Sequence, residues 1–381
     1  MKKVYILGGR RTPIAVKNNR FKNIRPEHLG AALLQEILQS HHIADIDGIF
    51  GGNAVGTGGN ITRLMMLEAG IDSSVPACTI DMQCASAAAA VDIAYAKLAC
   101  GAGKVFLAGG MESSSLQPIR VYDKKDDRFS LYEEGRYKTA QFSPKEYSEQ
   151  SMLEGAERVA KAENIEKSEL DFWTLESHRR AQKAAEEGVL RDLIVPIHGW
   201  SQDDGIHPKM TQRLLNRLPA VLGPGTLTTA GNACRINDGA AFLALTVEEP
   251  MPENTGKPCF RILDTLSCGG PPQESPRGAM HTADLLLAKN HLSYTDMSAI
   301  EFNEAFAVID VLFSRRYPSL LTRYNTFGGA LAYGHPYGAS GAVLLLHLMR
   351  AMELRRGQYG IAAIAGAGGM GTAILLEACY P

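Results

Sequence analysis

The chain has 381 residues, 45% of them hydrophobic, and a formal net charge of -2. That length can bury a large core and exceeds one typical domain, so two are expected; the near-neutral balance leaves no footprint for nucleic acid or an anionic membrane. The seven cysteines, an odd number with no C-x-x-C pair, fit neither a disulfide framework nor a zinc site and suit a reducing cytoplasm.

In chain order, MKKVYILGGRRTP is the first element, a strand running into a turn at Pro13 and too short and polar-ended for a signal peptide. No apolar run long enough to span a membrane follows. Arg10 and Arg11, like Lys124 and Lys125, are expected on the solvated surface. In ACTIDMQCASAAAAVDIAYAKLACGAG, a strand-like run leads to Cys84. An alanine-rich helix then begins at about Ala85 and stops at Gly101 and Gly103, where a left-handed C-cap is expected. A lone cysteine is by default a buried structural one. At a helix N-terminus, however, unpaired N–H groups and the helix dipole favour a thiolate and any oxyanion formed beside it, which predicts a lowered pKa for Cys84.

The strand KVFLAGG comes next, followed by a charged, tyrosine-bearing and poorly periodic stretch from about Gln117 to Gln150 that reads as part of an inserted surface subdomain. It continues into two helical segments, MLEGAERVAKAE and ELDFWTLESHRRAQKAAEEG. A proline-rich link from Glu248 to Pro258 separates two halves of similar layout. In the first, Cys84 precedes a small-residue helix and then KVFLAGGMESSS; in the second, His335 precedes AVLLLHLMRAMELRRG and then GIAAIAGAGGMGT. Apolar runs alternating with helical stretches indicate an α/β chain of layered sheets and helices, and the shared layout indicates an internal duplication.

Within the second half, FNEAFAV puts Asn303 at a strand-to-helix junction, where an N-cap is the simplest role. His335 stands among the five glycines of GGALAYGHPYGASG, a composition for tight turns and close backbone approach to a ligand. Histidine adds nothing special to a turn, so a functional role is expected. GAGGMG matches G-x-G-x-x-G, but only ten residues follow Gly371, too few for a dinucleotide site. These glycines are expected instead to bring a backbone N–H group to a reacting centre.

RRTPIA, QCASAAAA, AGGMESSS, TTAGNACRINDGAA, NEAFA, GGALAYGHPYGASGA and GAGGMGTA, in this order over nearly the whole chain, resemble the thiolase family. The resemblance implies a five-layered αβαβα fold of two similar halves, residues 1–250 and 258–381, with a loop domain inserted at about 113–225. It also implies an acyltransferase of the acetyl-CoA C-acetyltransferase class, performing Claisen condensation or thiolysis on acyl-CoA thioesters, without cofactor or metal, as a homodimer or homotetramer. Cys84 would accept the acyl group. His335 would activate it and, with a water oriented by Asn303, hold the thioester oxygen; the N–H groups of Cys84 and Ala367 would form a second oxyanion hole. Met152, Ala230, Gly231, Cys234 and Phe306 would contact coenzyme A. The chemistry is consistent: a Cys–His pair supplies an activated nucleophile, and each fixed donor to the oxyanion is worth roughly 10²–10³ in rate.

Three positions depart from the family pattern. Ala365 stands where carbon–carbon bond-forming members carry a second cysteine, the acid/base; Cys234 stands where a serine is usual; Ser151-Met152 replaces a His-Met pair. Alanine moves no proton, and losing a positioned acid/base costs about 10²–10⁴. An altered second half-reaction follows, with His335 or Cys268 in LSCGGPPQ as candidates to take over the proton. Two alternatives stay open. One is an acyltransferase or decarboxylating condensing enzyme with an already activated acceptor; the other is a catalytically inactive binding or assembly subunit, against which stand Cys84, Asn303 and His335 together. No G-x-S-x-G motif supports a serine hydrolase.

Overall fold

The computed structural model describes residues 1–144, 148–250 and 257–381. Most of the link expected at Glu248 to Pro258 lies outside the described residues. The first half supplies β1 (Val4–Arg11), α1 (Pro26–Ser40), β2 (Gly48–Gly52), α2 (Ile61–Glu68), β3 (Ala77–Ile80), α3 (Ser86–Ala99) and β4 (Val105–Ser113). After an irregular stretch come α4 (Ser151–Ala162) and α5 (Lys167–Glu187), the two helices expected there, and then β5 (Asn237–Thr246). The second half contains β6 (Cys259–Gly269), α6 (Gly278–Lys289), β7 (Met297–Phe302), α7 (Ala307–Arg316), α8 (Ser340–Arg355), β8 (Tyr359–Gly366) and β9 (Met370–Cys379).

The strands run in the order β7-β8-β9-β6-β1-β5-β4-β2-β3, and the two halves meet where β1 pairs antiparallel with β6 over Val4 to Ile6. The duplication is visible in this order. From the junction outward, the first half reads β1, β5, β4, β2, β3 and the second reads β6, β9, β8, β7. The place of β3 in the second half is taken by Tyr324, bridged in parallel to Ile300. Cys84 precedes α3 and His335 precedes α8, so the repeat brings two chemically different residues to equivalent ends of two central helices.

Burial explains the sequence pattern. Every residue of β5 is buried, and its run NDGAAFLALT shows no alternation because both sheet faces are covered. Helices α3 and α8 pack against each other between the two half-sheets. The outer face of the first half-sheet is covered by α1 and α2, around Leu33, Met65 and Phe242. The outer face of the second is covered by α6 and α7, around Leu286, Phe302 and Phe313. Five layers result. Small residues allow the central layer to close: Ala87, Ala90 and Ala94 of α3 are fully buried, and Gly341 of α8 rests on Ala88, where a Cβ would lie 2.5 Å from the Ala88 nitrogen.

Arg11 corrects a sequence expectation. It is fully buried rather than solvated, and its guanidinium donates to both carboxylate oxygens of Asp203, at 2.7 and 2.8 Å. A buried guanidinium persists only when paired, and its partner lies far away in sequence. Among the described residues, no helix is long and apolar enough to cross a membrane.

Candidate functional site

A sharp strand-to-helix turn presents Cys84. Gln83 takes the left-handed conformation, with φ 53°, which costs a non-glycine residue about 1–3 kcal/mol and persists only when its surroundings impose it. Here they do. Gln83 N–H donates to Asp81 Oδ1 at 2.9 Å, Met82 N–H donates to Ser86 Oγ at 2.9 Å, and Ser86 Oγ donates to the Gln83 carbonyl at 2.6 Å. The terminal loop closes over the turn at Gly366, where a Cβ would lie 3.1 Å from the Met82 carbonyl oxygen. Its Ala367 N–H, together with the N–H of Cys84 itself, hydrogen-bonds the thiol.

His335 and Asn303 are buried together. Asn303 Nδ2 donates to His335 Nε2 at 3.3 Å. The tautomer follows from the other side of the ring. Ser340 Oγ uses its single hydrogen on the Pro336 carbonyl at 2.9 Å, so at 2.6 Å it must accept from His335 Nδ1–H. Nε2 is therefore an unprotonated lone pair, able to take a proton. Burial depresses the imidazole pKa to about 3, keeping it neutral at rest. The backbone is fixed as well: His335 N–H donates to the Arg235 carbonyl at 3.0 Å, and Gly334, at φ 99°, leaves space that Asn237 Oδ1 fills. Asn303 is not an N-cap, since α7 begins four residues later with Phe306 at its cap position.

The thiol departs from the expectation of a lowered pKa. Only an edge of Cys84 reaches solvent, and exclusion of water from the thiol pushes its pKa up to about 12, against the opposing pull of the Cys84 and Ala367 N–H groups. His335 is likewise neutral, so the two groups rest as thiol and imidazole, not as thiolate and imidazolium. Cys84 therefore holds its proton at neutral pH. Alkylation of Cys84 by iodoacetamide should therefore accelerate about tenfold per pH unit from pH 7 to 10. A plateau near pH 8 in the pH–rate profile would contradict this assignment.

The segment from Leu227 to Asn237 runs alongside both Ala305–Ala307 and His335. Cys234 N–H donates to the Ala305 carbonyl at 2.9 Å, Ala233 bridges Phe306, and Ala307 N–H donates to Asn232 O at 2.9 Å. Cys234 lies close enough to Cys84 for the two sulfurs to interact electrostatically, and Cys234, Met152 and Phe306 share one apolar cluster. Ala230 is exposed and Gly231 buried, in the turn that leads to this strip. The sequence-predicted residues thus converge, with Ala230 and Gly231 at the margin. Ala365 is buried beside Gly278 of α6. Cys268 lies in the same sheet row, two strands away: both residues pair with Gly371 of β9, over which Gly278 and Thr282 stand.

Four supporting residues escaped the sequence reading. Glu112 accepts from Asn53 Nδ2 and Ala54 N–H at 2.9 Å, Val55 N–H at 3.2 Å and Gly338 N–H at 2.9 Å, tying the histidine loop to the first half. Burial lifts its carboxyl to about 7 against the pull of these backbone donors. A lone carboxylate inside the apolar run VFLAGGMES was the available signal. Glu157 of α4 accepts from Leu227 N–H and Thr228 N–H and positions the strip that carries Cys234. Ser340 and Tyr337 lie in the histidine motif itself but carry no local signature.

Comparison with known proteins identifies the family. Residues 4–249 match the family model of the thiolase N-terminal domain, and residues 256–378 match that of the thiolase C-terminal domain. VraB of Staphylococcus haemolyticus is 36% identical over 99% of both chains, and YhfS of Bacillus subtilis is 35% identical over 98% of both; both carry acetyl-CoA C-acetyltransferase in their names. The crystal structure of the Bacillus anthracis acetyl-CoA acetyltransferase superposes with a TM-score of 0.89 at 27% identity, covering 99% of each chain. That of the Acat5 thiolase from Ascaris suum in complex with coenzyme A superposes at 0.87 and 29%, covering 99% of this chain and 100% of the other.

Proposed function

The chain belongs to the thiolase family of acyltransferases, and on that footing we propose that it transfers acyl groups from coenzyme A thioesters through an acyl-Cys84 intermediate, with an altered second half-reaction. In the first half-reaction, Cys84 attacks the thioester carbonyl while its proton passes to His335 Nε2. The oxyanion is held by His335, newly protonated at Nε2, with a water oriented by Asn303; the N–H groups of Cys84 and Ala367 form the second hole. Such preorganised donors act strongly because water is excluded from the site. Coenzyme A lies along the strip of Ala230, Gly231, Cys234 and Phe306, with Met152 beneath it. The observation that carries this proposal is the bare Nε2 of His335, set by Ser340 and aimed at Asn303, in a loop whose Tyr337 reaches from the His335 ring to the surroundings of Cys84, itself under two N–H donors.

The division into halves near residue 250, with a loop domain at about 113–225, belongs to the same proposal, as does a homodimer or homotetramer. Support for assembly comes from β3, which ends the sheet half-exposed beside the exposed Leu64 and Leu67 of α2. Free thiols at all seven cysteines agree with a cytoplasmic setting.

Ala365 sets the weak point. Acylation uses groups that are all present, whereas α-proton transfer has lost its usual partner. Incubation with acetyl-CoA should give one acyl group by intact mass and a burst of coenzyme A, followed by slow condensation. Ala365→Cys should raise acetoacetyl-CoA formation about tenfold or more without changing the burst. If the unmodified protein already condenses at its burst rate, Ala365 is no functional loss. An acyl-enzyme that never condenses acetyl-CoA would favour the alternative of an already activated acceptor, the reading for which Ala365 itself speaks.

A further inference from the structure

We propose that Tyr337 carries the α-proton in the second half-reaction, replacing the thiol that position 365 lacks. This rests on the acyl-Cys84 chemistry above and assigns a proton carrier to it.

Tyr337 follows His335 by two residues, and the two rings lie edge to face with centroids 4.8 Å apart at 79°. Its backbone is immobilised on both sides. Ala339 N–H and Ser340 N–H both donate to the Pro336 carbonyl, at 2.9 and 3.0 Å, and Gly338 N–H donates to Glu112 Oε2 at 2.9 Å. The ring is half-buried, and among the described residues no group hydrogen-bonds its hydroxyl, which is not among the sealed, partnerless polar atoms either. The groups whose charges bear on that hydroxyl are Cys234, Cys84 and Glu112, in that order. A free phenol therefore borders the same space as the nucleophile and the coenzyme strip. Burial first, and then these neighbours, raise its pKa well above the ordinary value, so the phenol is protonated at rest.

The other proton-bearing candidates are worse placed. The Cys234 thiol also reaches Cys84 electrostatically, but it is packed against the outer apolar cluster. Cys268 is separated from Ala365 by Gly371 and by the first turn of α6, whose Gly278 oxygen and Thr282 hydroxyl sit where a side chain at 371 would project. His335 must keep the proton of Cys84 while the acyl-enzyme exists.

The cycle balances when written for cleavage of a 3-ketoacyl-CoA. Cys84 thiolate, its proton lent to His335, attacks the 3-keto carbon. Collapse of the alkoxide breaks the bond between carbons 2 and 3 and sends its electron pair to carbon 2. The Tyr337 hydroxyl gives its proton to that carbon, acetyl-CoA leaves, and a phenolate remains. The phenolate takes the thiol proton of an incoming coenzyme A, whose thiolate then attacks the acyl-Cys84 carbonyl. Expelled Cys84 recovers its proton from His335. Condensation is the same sequence reversed, and no oxidant or further reactant is needed.

The experiment is Tyr337→Phe in the full chain, which keeps the ring and removes only the hydroxyl. Formation of acyl-Cys84 from acetyl-CoA, read by intact mass after rapid quenching, should fall by no more than about tenfold, because a departing coenzyme A thiolate needs the phenol's proton far less than carbon 2 does. Incorporation of deuterium from D₂O into the methyl group of acetyl-CoA, and cleavage of acetoacetyl-CoA by coenzyme A, should both fall by about 10²–10⁴. Adding Ala365→Cys to Tyr337→Phe should recover part of both losses, which a merely structural tyrosine would not permit. Unchanged exchange and cleavage would overturn the proposal and leave Tyr337 as a wall of the channel. An equal loss in acylation would overturn it too, as a packing defect. If the unmodified protein forms no acyl-Cys84, the underlying acyl-enzyme mechanism fails, and the same mass spectrum reports it.

Discussion

Cys84→Ala should abolish covalent acylation by acetyl-CoA and reduce turnover by at least about four orders of magnitude. The size of the effect follows from geometry. The N–H groups of Cys84 and Ala367 both meet at this sulfur, and the turn through Gln83 that exposes it is held by Asp81 and Ser86. Removing the sulfur leaves oxyanion donors with no nucleophile to serve. The fold should survive, because Ala85, Ala87 and Ala88 show that small side chains fit the start of α3. Mass spectrometry of the intact variant after exposure to acetyl-CoA is the check, with circular dichroism to confirm folding. An acyl group retained by Cys84→Ala, or attached in the unmodified protein to Cys234 or Cys268, would remove Cys84 from the mechanism.

The second large effect concerns two side chains acting as one unit. His335→Ala removes the proton acceptor and should slow acylation by about 10²–10⁴; Asn303→Ala should cost about 10–10². The double variant should be little slower than His335→Ala alone, because residues serving one interaction are strongly non-additive. The contact of Asn303 Nδ2 with His335 Nε2 at 3.3 Å is the reason to expect coupling. Rapid-quench measurement of acyl-enzyme formation in all four proteins gives the cycle. Fully additive losses would place Asn303 and His335 in separate steps.

Much of the architecture was legible because the chain repeats itself. The parallel between the Cys84 and His335 segments corresponds to matching strand orders and to the two central helices. His335 could be picked out because glycines frame it, whereas Asn303, at a strand end that suggested an N-cap, was singled out only through the family resemblance. What could not be read were interactions whose partners lie far apart. Arg11 is indistinguishable from a surface arginine until Asp203 comes beside it, 192 residues away. The four donors to Glu112 include Gly338, 226 residues away. The thiol pKa failed for a related reason. A helix N-terminus can be seen in a sequence, but exclusion of water from Cys84 depends on a cluster that includes residues from the other half, such as Ile364 and Ile374, and here exclusion outweighs the dipole.

The central layer also constrains how the chain is assembled. Helix α3 belongs to the first half but touches strands β6 and β9 of the second, while α8 belongs to the second and touches β4 and β5 of the first. Each half therefore presents a bare apolar sheet face until the other arrives. The first half-sheet itself stays open until β5 has left the ribosome, since β5 lies between β1 and β4. Contacts this distant in sequence make folding slow and expose apolar surface along the way. Separate expression of either half should therefore give insoluble protein.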